Sequence, residues 1–229
     1  MQPTYLPWAG YFQLMNEADI FIFYDDVQFA RRSWQQRNRI LLHGQESFLT
    51  VPVLSKGLRS QLINEVRLDD SQPWRHNHTE KLKHAYKKHS FGSEIIKLVD
   101  SILLDPSIEN LADLNICLIN SICSRMQIGT RLMKSSDIPV EGKKSQYLLR
   151  LCEYVGATEY ISPAGAMTYI EDEGLFASSS IKVIYQDYTP APYAQRGMEH
   201  YSPYLSIVDV IANIGFEGGR LYVSGGHTA

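Results

Sequence analysis

From residue 129 onward the chain alternates between strand-like and helix-like periodicity, and this alternation restricts the architecture more than any other feature. Residues 130–135 read as a strand, 144–155 as a helix, 159–162 as a strand, the segment near Met167 as a short helix, 181–188 as a strand and 204–214 as a helix. Strands separated by helices run parallel, because each helical crossover returns the chain to the same end of the sheet. Near the N-terminus, residues 10–18 carry a helical pattern. The run Ile-Phe-Ile-Phe-Tyr over residues 20–24 is a strand apolar enough to be covered on both faces. The expected fold is α/β, a doubly wound, mostly parallel sheet, and the 229 residues suit a single domain over positions 1–229.

Two regions break the alternation. Residues 37–42 and 47–53 are β-like runs joined by His43-Gly44-Gln45-Glu46, which predicts a hairpin, and residues 63–68 are a further strand candidate. Pro73-Trp74 opens a helix reaching about Lys88. Two amphipathic helices follow over 92–104 and 108–126, with Ser107 placed to cap the second. Residues 73–126 are therefore expected as a helical insertion or cap over the sheet. The chain begins inside a loop, at Met1-Gln2-Pro3, so the strand that should feed that loop is expected to be absent or a stub.

Composition removes several classes. A net charge of -3 and a pI near 6.2 supply no general basic field for nucleic acid. No apolar run approaches membrane length and no signal-peptide pattern precedes the first helix, so a cytoplasmic protein without membrane insertion is expected. Cys117, Cys123 and Cys152 lack zinc-ligand spacing. His76, His78, His84 and His89 lie among Arg75, Lys81, Lys83, Lys87 and Lys88, so no metal site is expected there. No Gly-x-Ser-x-Gly, Walker or Gly-x-Gly-x-x-Gly run occurs.

The candidate chemistry collects where strands end. Asp25 and Asp26 follow the first apolar strand, so one carboxylate should point into the crevice above the sheet, as a general base, a ribose ligand or a holder of Mg2+ on a phosphate-bearing substrate. Gln2, Tyr5, Trp8, Gly10 and Tyr11, stiffened by Pro3 and Pro7, offer neutral hydrogen-bonding tips around an indole, a surface suited to a sugar or nucleobase. Gln28 should position a ligand beside the carboxylates. Arg37 and Arg39 alternate on a strand and present one face to an anion, with Asn38 between them. Ser162 and Gly165 follow a later strand, where a hydroxyl and a helix start suit phosphate. Lys143, Lys144 and Ser145 open another helix. Tyr193, Gln195 and Ser206 lie in a Pro- and Tyr-rich connection that makes a stiff substrate wall. No cofactor is fixed by these features; a nucleotide or Mg2+ is the class they admit.

The stretches Gln2-Pro-Thr-Tyr-Leu-Pro-Trp-Ala-Gly-Tyr-Phe12, Tyr24-Asp-Asp-Val-Gln-Phe29, Trp34-Gln-Gln-Arg-Asn-Arg-Ile40, Tyr160-Ile-Ser-Pro-Ala-Gly165 and Tyr204-Leu-Ser-Ile-Val-Asp209 resemble, in order and over essentially the whole chain, the WbqC-like family. One departure is Gln36, where the family usually has Asn. The resemblance implies a role in bacterial O-antigen or other surface-polysaccharide biosynthesis: a transferase moving a small acyl or aminoacyl group, such as glycyl, to a nucleotide-linked sugar. An aminoacyl-tRNA or carrier donor is the implied partner, with the basic helix from Arg75 to Lys88 as its docking face. The opening loop and strand are also similar in shape to nucleotidylyltransferases and adenylate-forming enzymes, but Trp8-Ala-Gly-Tyr11 stands where those carry His-x-Gly-His. Nucleotidyl transfer or adenylation is thus one alternative, and a non-catalytic sugar- or nucleotide-binding subunit the other.

Overall fold

The computed structural model describes residues 1–58 and 60–225. Helix α1 (Ala9–Glu17) begins where Pro7 and the extended Trp8 end the opening loop, and it buries Ala9, Gly10, Tyr11, Phe12, Leu14 and Met15. Strand β1 (Ile20–Phe23) follows. It pairs in parallel with β4 (Arg131–Lys134), from Ile20 opposite Arg131 to Phe23 opposite Lys134. A second parallel pair joins β5 (Glu159–Ser162) to β6 (Lys182–Tyr185). Helix α5 (Lys144–Tyr154) precedes β5, and α6 (Met167–Glu173) lies between β5 and β6 as the crossover that their parallel pairing requires.

The molecule is thus mixed α/β, with short parallel and antiparallel strand pairs. The expected doubly wound sheet is present only as these two separate parallel pairs among the described residues. The Met1 amino group donates to Ile22 O at 2.6 Å, and Met1 O accepts from the Tyr24 N–H at 2.8 Å. Those two bonds place Met1 as a parallel partner of Phe23, one residue long. Burial pushes the Met1 ammonium down to about 5.

The antiparallel hairpin is β2 (Arg37–Leu42) with β3 (Gln45–Thr50). Its connection is two residues, His43 (φ 51°) and Gly44 (φ 74°), shorter than the expected four. Two successive left-handed residues match the right-handed twist of the strands they join. The strand expected over 63–68 is absent. Glu65 turns back to accept from the Leu62 N–H at 2.9 Å, closing a 3-10 turn over Ile63–Glu65, and only single bridges pair Leu68 with Val53 and Arg67 with Asn110.

Helices α2 (Trp74–Tyr86), α3 (Gly92–Leu103) and α4 (Leu111–Arg125) fill the region expected to be helical. Asn110, and not Ser107, caps α4 by accepting from the Asp113 N–H at 2.8 Å; the Ser107 hydroxyl turns to Asp105. These helices share the largest apolar cluster with α1, β1, the hairpin and α7 (Ile207–Val223). Helix α7 extends well past residue 214. Gly215, at φ 77° and ψ 176°, interrupts its helical geometry, and Phe216, Tyr222 and Val223 are buried beyond the break. A smaller cluster of Cys152, Ile170, Phe176 and Ile181 holds α5, α6 and the β5–β6 pair. No helix among the described residues is long and apolar enough to cross a membrane.

Candidate functional site

Strands β1 and β4 are parallel, so their carboxyl ends emerge side by side, and the residues that follow them meet. Asp25 is 1% exposed. Its Oδ1 accepts from Ser136 N at 3.0 Å and from Ser135 Oγ at 3.1 Å, and its Oδ2 from Ser136 Oγ at 2.8 Å. Asp25 thereby ties the two strand ends together. Asp26 is half-buried, with Oδ1 accepting from Ser135 Oγ and Oδ2 from the Tyr147 hydroxyl, each at 2.5 Å. The single Ser135 proton is divided between the two carboxylates, and the shorter contact goes to Asp26.

Tyr147 stands on α5 and Tyr24 on the segment leaving β1, with their rings 5.4 Å apart. Burial, reinforced by the Asp26 charge, pushes both phenols above their ordinary range, so each keeps its proton. Beside them a cavity of about 210 Å³ opens between Tyr24, Lys144, Leu148 and Tyr169. Its position at the carboxyl edge of parallel strands is where α/β folds collect ligands. Ser162, at the end of β5, is fully buried, whereas Gly165 is exposed with open space around its Cα. No cluster of three or more His, Cys, Asp or Glu with metal-ligand geometry occurs among the described residues.

The other sequence-derived residues lie in three different settings. In the opening loop, Tyr5 and Tyr11 are core residues: the Tyr5 hydroxyl bonds His78 Nδ1 at 2.9 Å, and the Tyr11 hydroxyl donates to Gln2 O at 3.1 Å. Gln2 Oε1 accepts from Gln35 Nε2 at 2.9 Å. Asn38 spends its amide on Tyr5 O and Leu6 O, at 3.2 and 2.9 Å, and Asn115 holds Pro3 O and Gln35 O from below. Prolines and a left-handed Leu6 (φ 43°) leave these carbonyls without secondary-structure partners, and neutral amides replace the missing ladder. The close approach at Gly10 is made by Trp8 itself, whose indole would lie 2.3 Å from an added Cβ. Gln36, the departure from the family pattern, accepts from the Arg32 N–H and donates to Val51 O.

On the hairpin, Arg37 and Arg39 do share a face, but both are engaged. The Arg37 guanidinium lies 4.7 Å from the Phe48 ring centroid. Arg39 pairs with Glu46 at 2.8 Å and lies 5.6 Å from Trp34. The third setting surrounds Asp209, which is fully buried on α7. It accepts from the Tyr193 hydroxyl at 2.7 Å and from Gln195 Nε2 at 3.2 Å, and burial raises its carboxyl above the usual range. Ser206 caps α7, accepting from the Val208 N–H at 3.3 Å. Gln28, exposed beyond Asp26, pairs with Leu62 in an isolated bridge.

The basic helix is less available than its sequence suggests. Arg75 pairs with Asp70 and donates to Leu103 O, Asp105 O and Ile108 O; Lys81 donates to Phe48 O; Lys83 pairs with Glu80. The residues that sequence reasoning missed are Ser135, Ser136, Tyr147 and Tyr169. The register of β4 against β1 places Ser135 and Ser136, and the packing of α5 and α6 places Tyr147 and Tyr169; neither is visible before the chain is folded.

Fold and site together define a mixed α/β protein with a carboxylate, hydroxyl and phenol cluster at the carboxyl edge of a parallel strand pair. The sequence matches the WbqC-like protein family over residues 2–220, and the chain belongs to that family. It is 37% identical over 217 residues to the uncharacterized protein Rv1507c of Mycobacterium tuberculosis, covering 95% of this chain and 93% of that one. No solved structure matches the chain.

Proposed function

We propose that this protein is a transferase of surface-glycan biosynthesis that moves a small acyl or aminoacyl group, such as glycyl, to an amino or hydroxyl group of a nucleotide-linked sugar. The observation that carries this reading is Asp26: a half-buried carboxylate at a parallel strand edge, aimed by Ser135 and by Tyr147, whose ring packs against Tyr24 of the cavity wall. In the reaction, the acceptor nitrogen or oxygen bonds to the acyl carbon, its proton passes to Asp26, and the donor's leaving group departs. Asp25 holds the strand ends that carry Asp26. Tyr24 and Tyr169 supply flat apolar faces with polar tips, which suit a sugar or base. Membership of the WbqC-like family supports the surface-polysaccharide setting. The doubly wound organisation belongs to the same reading and is supported by the parallel pairing of Met1 with Phe23.

The test is to incubate the purified chain with nucleotide-linked amino sugars and either aminoacyl-tRNA or aminoacyl adenylate, following the sugar by mass spectrometry. A mass gain of one aminoacyl residue is expected. Sugar that binds but is never modified by any donor would reject the transferase. A second reading, a non-catalytic sugar- or nucleotide-binding subunit, draws on one feature: both Asp26 oxygens already accept hydrogen bonds, as in a carboxylate that positions a neighbour.

A further inference from the structure

Helix α5 begins abruptly. Lys144 has a left-handed φ of 51°, and the preceding Lys143 provides no side-chain cap, so the first N–H groups of the helix need an outside acceptor. That acceptor is Glu173, the last residue of α6. Its Oε2 accepts from Ser145 N at 3.1 Å, and its Oε1 lies 3.3 Å from Lys144 Nζ. The same neighbours, Ser145 first and then Lys144, hold the Glu173 carboxyl below the ordinary range. One donor is left over. Ser145 Oγ is fully buried beside this carboxylate, near enough to lower its pKa yet outside hydrogen-bond geometry to it. A two-oxygen anion therefore satisfies two of three donors. Lys144 also forms part of the wall of the 210 Å³ cavity with Tyr24, Leu148 and Tyr169.

We infer that the start of α5, with Lys144 and Ser145, is the subsite for a phosphate or pyrophosphate group of the ligand that enters this cavity, and that Glu173 occupies it in the free protein. A phosphate presents three oxygens and more charge than a carboxylate, so it can meet the Ser145 N–H, the Ser145 hydroxyl and the Lys144 ammonium together. Ligand binding then releases Glu173 and, with it, the end of α6. The inference rests on the crevice reading above and adds the ligand class, a phosphate-bearing compound, and an internal competitor.

The experiment is calorimetric titration of the full chain with inorganic pyrophosphate, alongside the backbone amide resonance of Ser145. Wild type should bind weakly. Glu173→Gln removes the competing charge and should bind at least about fivefold tighter, a difference of about 1 kcal/mol. Ser145→Ala in the Glu173→Gln background should lose most of that gain while melting with the same cooperativity. Pyrophosphate binding is read without acyl donor or acceptor sugar, which separates failure of this subsite from failure of the transferase. No saturable binding to Glu173→Gln, binding no tighter than wild type, or an unmoved Ser145 amide would each overturn the proposal.

Discussion

The opening loop is held by individual side chains whose loss has calculable cost. Asn38→Ala would leave the buried Tyr5 and Leu6 carbonyls without their donor and should cost about 2–4 kcal/mol in denaturant melts. A loss under about 0.5 kcal/mol would show that the clamp is dispensable. His78 gives the loop a pH dependence. Burial, aided by Lys81 and opposed by a backbone hydrogen bond with Thr50, lowers its pKa from the ordinary 6.5 to about 4. Between those values the unfolded chain takes up the proton and the folded one does not, so stability falls as pH drops from 6.5 towards 4. The total loss is about 3 kcal/mol. His78→Gln should flatten that part of the stability profile measured by thermal melts across pH 4–7.

At the scale of elements, the strands and helices after residue 129 were legible because apolar period and turn residues agree there: β5 has the expected bounds, and α5 ends one residue early. Where side chains compete with the backbone, the pattern misled. Glu65 converts a strand-like run into a 3-10 turn, and Asn110 takes the cap expected of Ser107. Helix α7 runs beyond the 204–214 span expected of it, and Gly215 does not end it. The chain instead breaks helical geometry there, and Phe216, Tyr222 and Val223 bury the next turns. Gly215→Ala is a sharp test: at φ 77° a side chain is strained, and its Cβ would lie 3.0 Å from the Phe91 ring. It should destabilise the protein by about 1–3 kcal/mol, read as a lower melting temperature. Asn110→Ala should cost about 1 kcal/mol, read in thermal melts, by leaving the Asp113 N–H in the first turn of α4 without its cap.

For the whole molecule, the two carboxylates of the candidate site were legible as a strand ending in Asp-Asp. Their division of labour was not. Asp25 points to Ser136 and is buried, Asp26 points to Tyr147 and is half-buried, and only the parallel register that brings Ser135 beside them makes the difference. The hairpin arginines share the face that the sequence shows, and the structure adds Glu46, Phe48 and Trp34 against it. The opening loop likewise showed its aromatics without the partners of their hydroxyls, His78 for Tyr5 and the Gln2 carbonyl for Tyr11. The proposed chemistry therefore falls on one residue, Asp26. The most direct test is the rate of aminoacyl transfer by Asp26→Asn, measured beside its affinity for the nucleotide-linked sugar. The account predicts a fall of about 10²–10⁴-fold in transfer with affinity nearly unchanged; transfer at the wild-type rate would contradict it.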